Sequence, residues 1–179
     1  MSLLPLYQQV EHQEWIDIPS GWLQGRTVFG GLVAGLLAQK ALSVVNDAAK
    51  QLLSCNITFV GPVQEGQAKL TAEVLRQGKS VTTLEVRLWQ ADAVQSILIA
   101  SFGAQRESRI HVQNLPQVPH YPQPEQLDKT AYIEGLMPQC LQQFELCWAE
   151  GSYPMAGSKL PDFGGWSRFS PDLHRNRDM

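Results

Sequence analysis

The sequence is poor in charge and has no long apolar run. Charged residues make up 17% of the 179 residues, below the ~25% that is usual in soluble domains, and this deficit favours surface hidden in a homo-oligomer. The formal charge is −3 and the basic residues never run together, which argues against a nucleic-acid partner. The longest apolar run, 28–38, falls well short of the ~20 residues that span a bilayer, so no membrane partner is predicted.

Cysteine is scarce as well, and no pattern of metal ligands occurs. Cys55, Cys140 and Cys147 leave one thiol unpaired in any disulfide scheme, so we predict reduced, buried thiols in a cytoplasmic protein. A Cys140–Cys147 bridge is the alternative. The four histidines are scattered, and neither a metal nor another cofactor is predicted. A GxSxG motif is absent, which gives no support to a serine hydrolase of that type.

One segment, 31–45, is apolar on nearly every side of a helix. Its polar face is restricted to Gln39, Lys40 and Ser43. A helix of this kind must be enclosed on most sides. Asn46-Asp47 is the predicted stop.

Four segments after this helix alternate between apolar and polar residues or are apolar throughout. They are 54–60, 68–74, 84–88 and 94–102, and short turns containing Gly61-Pro62, Gly78 and Asp92 separate them. Residues 14–18 are predicted as an edge strand before the helix. The pattern predicts an α+β hotdog fold, in which an antiparallel sheet wraps round one long central helix.

The composition changes after the last of these strands. Four prolines fall within 116–124, and proline lacks the amide that a β-ladder needs, so this segment is predicted as an extended linker. We divide the chain into a hotdog domain at 1–108, a Pro-rich linker at 109–130 and a C-terminal part at 131–179. In that last part we expect a helix at 131–141 interrupted by Pro138, strands at 144–149 and 164–169, and a polar tail.

The start of the long helix is the first candidate for a chemical site. Gly30 and Gly31 follow Phe29, and no Ser, Thr, Asp or Asn immediately precedes them to cap the first-turn amides. An uncapped helix N-terminus suits a carbonyl oxygen that gains negative charge, which makes the Gly31 amide a candidate oxyanion donor. The alternative is that the glycines only allow tight packing of helix against sheet.

The hairpin turn Arg76-Gln77-Gly78-Lys79-Ser80 is the second candidate. It places two cations and a hydroxyl together. Such a group meets either a phosphorylated ligand tail or only solvent, and the turn itself does not decide between them.

The first hotdog of the bacterial type II acyl-CoA thioesterases, whose chains carry two tandem hotdogs, resembles this chain over about residues 10–169. The resemblance lies in the order of an apolar helix and three segments, which are Arg26-Thr27-Val28-Phe29-Gly30-Gly31, Arg76-Gln77-Gly78-Lys79-Ser80 and Ala100-Ser101-Phe102-Gly103-Ala104-Gln105. It implies an incomplete second hotdog at 131–179. It also implies hydrolysis or binding of acyl-CoA, with the thioester carbonyl at the Gly31 amide.

The same resemblance implies which residues meet the substrate and which residue is lacking. Phe29, Gly30, Arg76, Lys79 and Ser80 would contact acyl-CoA, the two cations meeting its phosphates. In that family the carboxylate that positions the attacking water lies on the central helix of the second hotdog, and here 31–46 contains no Asp or Glu. A catalytically inactive acyl-CoA-binding or scaffold subunit is therefore the alternative function. A hotdog dehydratase is disfavoured, because Phe29 stands where a catalytic His is common.

The apolar residues of the C-terminal part need a partner surface. Phe144, Leu146, Trp148 and Trp166 would lack a core of their own in an incomplete hotdog. We therefore expect 131–169 to pack on the first hotdog or on a partner chain.

Overall fold

Nine strands and three α-helices make up the regular structure of the residues that the computed structural model describes, which are 3–110, 112 and 115–174. In chain order they are α1 (Leu4–His12), β1 (Trp15–Ile18), β2 (Leu23–Gln24), β3 (Thr27–Val28), α2 (Gly30–Val45), β4 (Lys50–Phe59), β5 (Gly66–Gln77), β6 (Val81–Gln90), β7 (Ala93–Ala104), β8 (Phe144–Glu150), β9 (Gly164–Phe169) and α3 (Pro171–His174).

Five of the strands form one antiparallel sheet in the order β1-β5-β6-β7-β4. Short turns join β5 to β6 and β6 to β7, as the alternation of apolar residues predicts, and Ala91 and Asp92 take positive φ in the second turn. With α2 packed on one face of this sheet, the α+β hotdog fold is confirmed. β1 is an edge strand, as expected, and β4 forms the opposite edge.

The core lies between α2 and the concave face of the sheet. Leu36, Leu37 and Ala41 of α2 have no exposed surface, and each buried leucine contributes about 1.5–3 kcal/mol relative to an exposed one. The facing side chains come from alternate positions of the strands and include Ala68, Leu70, Leu84, Val86, Leu88, Leu98, Ala100 and Phe102. Asn46 ends the helix in the left-handed conformation, with φ +42°.

One side of the hotdog is less enclosed than the sequence predicts. Leu42 and Val44 of α2 are exposed, and so are Leu52 and Phe59 of the edge strand β4. Cys55 lies on the same strand and is exposed, so the prediction of a buried thiol is wrong at this position. The reason is that no described residue covers the outer edge of β4.

The other two thiols match the prediction. Cys140 and Cys147 are buried and free, and burial raises the pKa of the Cys140 thiol. No disulfide joins them. Among the described residues, no helix has both the length and the apolar character that crossing a bilayer requires.

The helices other than α2 differ from the sequence prediction, which gave only a polar tail where α3 lies. The helix expected at 131–141 is wrong: Gly135 has φ +78°, and a 3₁₀ turn at Gln139–Gln143 follows Pro138. The helix α1 was not predicted. Only two of its residues, Leu6 and Val10, are buried, which is too few to give the sequence a clear apolar face. Lys40 of α2 anchors α1, since its Nζ donates to the carbonyl oxygens of Val10 at 3.2 Å and Gln13 at 3.0 Å.

The C-terminal part contributes a separate two-stranded sheet, β8 with β9. Both strands agree with the prediction. Cys140, Leu141 and Phe144 pack against the hotdog core, whereas Trp148 stacks on Tyr153 and Phe163 within the C-terminal part. Residues 175–179 of the predicted polar tail lie outside the described residues.

Candidate functional site

The first turn of α2 begins without a cap. Phe29 is the N-cap residue and makes no side-chain capping bond, while its carbonyl oxygen accepts from the amides of Leu32 at 3.0 Å and Val33 at 3.2 Å. Within the described residues, the amides of Gly30 and Gly31 find no acceptor. Gly31 is exposed, and Gly30 and Phe29 are half-buried. An N–H that faces solvent at a helix N-terminus can donate to a ligand.

Each of the two glycines also faces an aromatic ring. A Cβ on Gly30 would lie 3.2 Å from Cζ of Phe59, and a Cβ on Gly31 would overlap the ring of Phe29. The structure therefore supports the packing role that the sequence left as an alternative. Packing uses the Cα side of each glycine and leaves the amide unpaired, so the two roles are compatible.

A short loop and one carboxylate hold this region in place. Oε1 of Glu65 accepts from the amides of Gly21 at 2.8 Å and Trp22 at 3.4 Å. The carbonyl oxygen of Trp22 in turn accepts from the amide of Phe29 at 2.8 Å. Sequence reasoning missed Glu65, because a carboxylate in the segment Gln64-Glu65-Gly66 looks like any solvated loop residue.

A carboxylate that could activate water is still lacking on α2. No Asp or Glu occurs in 30–45. Asp47 follows the far end of the helix, where its Oδ2 lies 3.3 Å from Nζ of Lys50. In the part of the chain that the structure describes, no cluster of His, Cys, Asp or Glu could hold a metal ion.

The turn containing Arg76, Lys79 and Ser80 lies at the other end of the hotdog. All three residues are exposed. Gly103 pairs with both Val81 and Gln51, so the turn lies level with the first residues of β4. Gly30 lies at the last residue of β4, Phe59, about 25 Å further along at ~3.3 Å per residue. Within one chain, Phe29, Gly30 and Gly31 therefore lie together, and the turn that contains Arg76, Lys79 and Ser80 lies far from them.

Preformed grooves occur elsewhere on the molecule. One of about 430 Å³ is mostly apolar and lies between the segments 129–141 and 153–155. Another, of about 510 Å³, lies beside Trp15 and Trp89 at the β1 side of the sheet. Neither is lined by Gly31, which instead lies on an open surface.

Comparison with known families gives a match at the hotdog. Residues 18–103, from the end of β1 into β7, match the family model of the acyl-CoA thioesterase N-terminal domain. The family is thus supported for the hotdog segment. This segment includes all of α2 and is slightly less than half of the chain. No curated protein is found to match the chain.

Solved structures share the fold at low identity. A conserved protein of unknown function with the hot dog fold from Alicyclobacillus acidocaldarius has a TM-score of 0.72 at 21% identity, over 88% of this chain and 57% of that chain. A candidate thioesterase II from Thermobifida fusca YX has a TM-score of 0.70 at 19% identity, over 88% of this chain and 58% of that chain. At this identity the likeness shows the fold alone, and the chain spans less than two thirds of either structure.

Proposed function

We propose that this chain binds acyl-CoA thioesters at the start of α2, with the thioester carbonyl oxygen accepting a hydrogen bond from the Gly31 amide. The observation that carries this proposal is an amide that no described residue accepts from, at the exposed, uncapped end of a 16-residue helix. The positive end of the helix dipole favours the negative charge that the oxygen gains. Phe29 and Phe59 supply apolar surface beside it, and the family match of the hotdog segment agrees.

Hydrolysis would make the protein an acyl-CoA thioesterase, which is our leading proposal. A general base would take one proton from a water molecule as its oxygen attacks the carbonyl carbon. The C–S bond would then break, that proton would pass to the departing thiolate to give the CoA thiol, and the other proton would stay on the carboxylic acid product. We assign the general-base role to no described residue of the hotdog, because α2 carries no Asp or Glu and Glu65 is engaged by the amides of Gly21 and Trp22.

A catalytically inactive acyl-CoA-binding or scaffold subunit is the second candidate. The observation that favours it is the lack of any carboxylate on α2. Both candidates share the binding step, and they differ only in whether CoA is released. The free thiols of Cys140 and Cys147 agree with the cytoplasmic location that we include in this proposal.

A homo-oligomer would bring the basic turn to the site. If the β4 strands of two copies paired antiparallel, Gln51 of the second copy would lie near Phe59 of the first. The second copy's turn is level with its own Gln51 but belongs to β5 and β6, which β7 separates from β4. Arg76 and Lys79 would then lie at the same end of the joined sheet as Gly31, about 10 Å or more across the strands from the seam. The exposed apolar residues of β4 and α2 support this arrangement. In it, the two cations would meet the CoA phosphates and Ser80 would lie beside them.

A second, tandem hotdog is also part of the proposal. The solved structures align over 88% of this chain, whereas residues up to Ala104 make up less than three fifths of it. The alignment therefore extends into the C-terminal part, where β8 and β9 would correspond to the opening strands of that hotdog.

A panel of CoA thioesters tests the function. The purified chain is mixed with acetyl-, octanoyl- and palmitoyl-CoA, thiol release is followed with a dye, and binding is measured by calorimetry. Release above background identifies a thioesterase, and binding without release identifies the inactive subunit. Absence of both for every ester and for CoA itself would contradict the proposal.

A further inference from the structure

The C-terminal part reaches the candidate site through Phe144. This residue opens β8, directly after the 3₁₀ turn that buries Cys140. Its ring meets the ring of Phe29 edge to face, with centroids 5.7 Å apart and planes at 80°. It meets Trp22 in the same way, at 6.2 Å and 82°.

A line of contacts therefore runs from β9 to the helix start. Phe169, at the end of β9, pairs with Phe144 in the two-stranded sheet, and the two rings stack at 5.1 Å. Phe144 contacts Phe29, and the Phe29 ring covers the Cα side of Gly31 so closely that a Cβ there would overlap it.

Hydrogen bonds also join the start of β8 to the hotdog and to the end of β9, independently of the aromatic rings. Nε2 of Gln143 donates to the carbonyl oxygen of Gly21 at 3.2 Å, and the carbonyl oxygen of Gln143 accepts from the amide of Ser170 at 2.9 Å. Gly21 belongs to the loop that Glu65 binds. The residue before Phe144 is thus tied both to the hotdog and to the end of β9, which fixes the backbone from which the Phe144 ring extends.

We propose that Phe144 is a positioning residue of the thioester site, which holds the Phe29 ring against Gly31 and so limits the size of the acyl group beside that amide. The inference rests on the proposed function. Phe29 and Phe144 are half-buried rather than sealed, so the wall they form is open to a ligand on one side. Closely packed rings keep their positions, and removing one leaves a cavity into which its neighbour can move.

The test compares two acyl groups in three variants. Acetyl-CoA has a methyl group on the thioester carbonyl, whereas benzoyl-CoA has a ring there. In Phe144→Ala the Phe29 ring can turn away, and benzoyl-CoA should gain about tenfold in affinity relative to acetyl-CoA, measured by calorimetry. Phe144→Leu keeps apolar bulk and should restore most of the original ratio.

A matched control separates positioning from general destabilisation. Phe163→Ala removes a ring of the same size from the stack on Trp148, in the same C-terminal part but away from Phe29. Only Phe144→Ala should change the affinity ratio, because Phe163 does not pack against the hotdog core. An equal ratio in the two variants would overturn the inference and leave the proposed function standing.

A ligand-free measurement keeps the inference testable if no ester binds. The amide of Phe29 donates to Trp22, and the amides of Leu32 and Val33 donate to the Phe29 carbonyl oxygen. Hydrogen exchange at these three amides should be faster in Phe144→Ala than in Phe163→Ala. Unchanged exchange would show that Phe144 does not hold Phe29. Failure of the wild-type protein to bind CoA or either ester would instead overturn the proposed function, and the limit on acyl size with it.

Discussion

The proposed role of the start of α2 depends on two atoms of Gly31, its amide nitrogen and its Cα. The amide of Gly31 has no acceptor in the described chain, while the Cα of the same residue is covered by Phe29. A side chain at this position would disturb the ring, and loss of the N–H would remove the donor. Gly31 thus combines a packing requirement with the proposed chemical function, and the sequence alone could not distinguish the two roles.

Ser96 is a second residue whose polar atom has no partner. It is fully buried on β7, and its Oγ makes no hydrogen bond with any residue that the structure describes. An unpaired buried hydroxyl costs roughly 1–3 kcal/mol, so Ser96→Ala should leave the free energy of unfolding unchanged or raise it by about 1 kcal/mol. Chemical denaturation measures this.

Ser101 on the same strand provides the control. Its Oγ lies 3.0 Å from Oγ1 of Thr83, and Ser101→Ala should lower the free energy of unfolding by about 1 kcal/mol. A larger loss for Ser96→Ala than for Ser101→Ala would show that Ser96 has a partner after all.

At the scale of elements, the sequence predicted the hotdog well because strands such as β6 alternate between apolar and polar residues. Leu84, Val86 and Leu88 face the helix while Glu85 and Arg87 face outward, and this period of two can be recognised in the sequence. Elements that depend on tertiary contacts could not be predicted from the sequence. The helix α1 depends on Lys40, which lies 27 residues or more further along the chain, and the segment 131–141 has apolar residues but is not helical. Phe144 was recognised as apolar, but its contact with Phe29 follows from the fold alone.

The β8–β9 sheet carries a charge cluster with a defined pH dependence. Glu145 accepts from Nζ of Lys129 at 2.8 Å and from Nε of Arg168 at 2.7 Å, and these hydrogen bonds, that from Lys129 first, lower the pKa of its carboxyl group. A lowered pKa means that the stabilisation is present above the ordinary value of 4.5 and is lost as the pH falls through the folded-state value.

Glu145→Gln removes this pH-dependent contribution. Wild type should melt at a higher temperature than the variant near pH 7, and the difference should shrink as the pH falls below about 4.5. Thermal melts between neutral and acidic pH measure it. A difference that stays constant over this range would contradict the assignment.

The whole molecule has one uncovered side, which β4 and the adjacent end of α2 form. Leu42, Val44, Leu52 and Phe59 all expose more than a third of their surface. Such a strip at a sheet edge favours association. The basic turn and Gly31 lie at opposite ends of the hotdog, which is why the proposed acyl-CoA site includes a second copy.

A charge on the uncovered strand tests association. Leu52→Lys places an ammonium group on the strip and should shift the protein to a smaller mass in sedimentation velocity. Leu75→Lys, at a position of similar exposure on β5, is the matched control and should leave the mass unchanged. Equal masses in wild type and in both variants would contradict association through β4.

Two substitutions at Gly31 test the account most directly. Gly31→Ala adds a Cβ and keeps the N–H, whereas Gly31→Pro adds a Cβ with the rest of its ring and removes the N–H at a position in the first turn where helices tolerate proline. If this amide binds the thioester, Gly31→Pro should lower acyl-CoA affinity, and turnover where it occurs, by about 10- to 100-fold relative to Gly31→Ala. Equal affinity and turnover in the two variants would contradict the account.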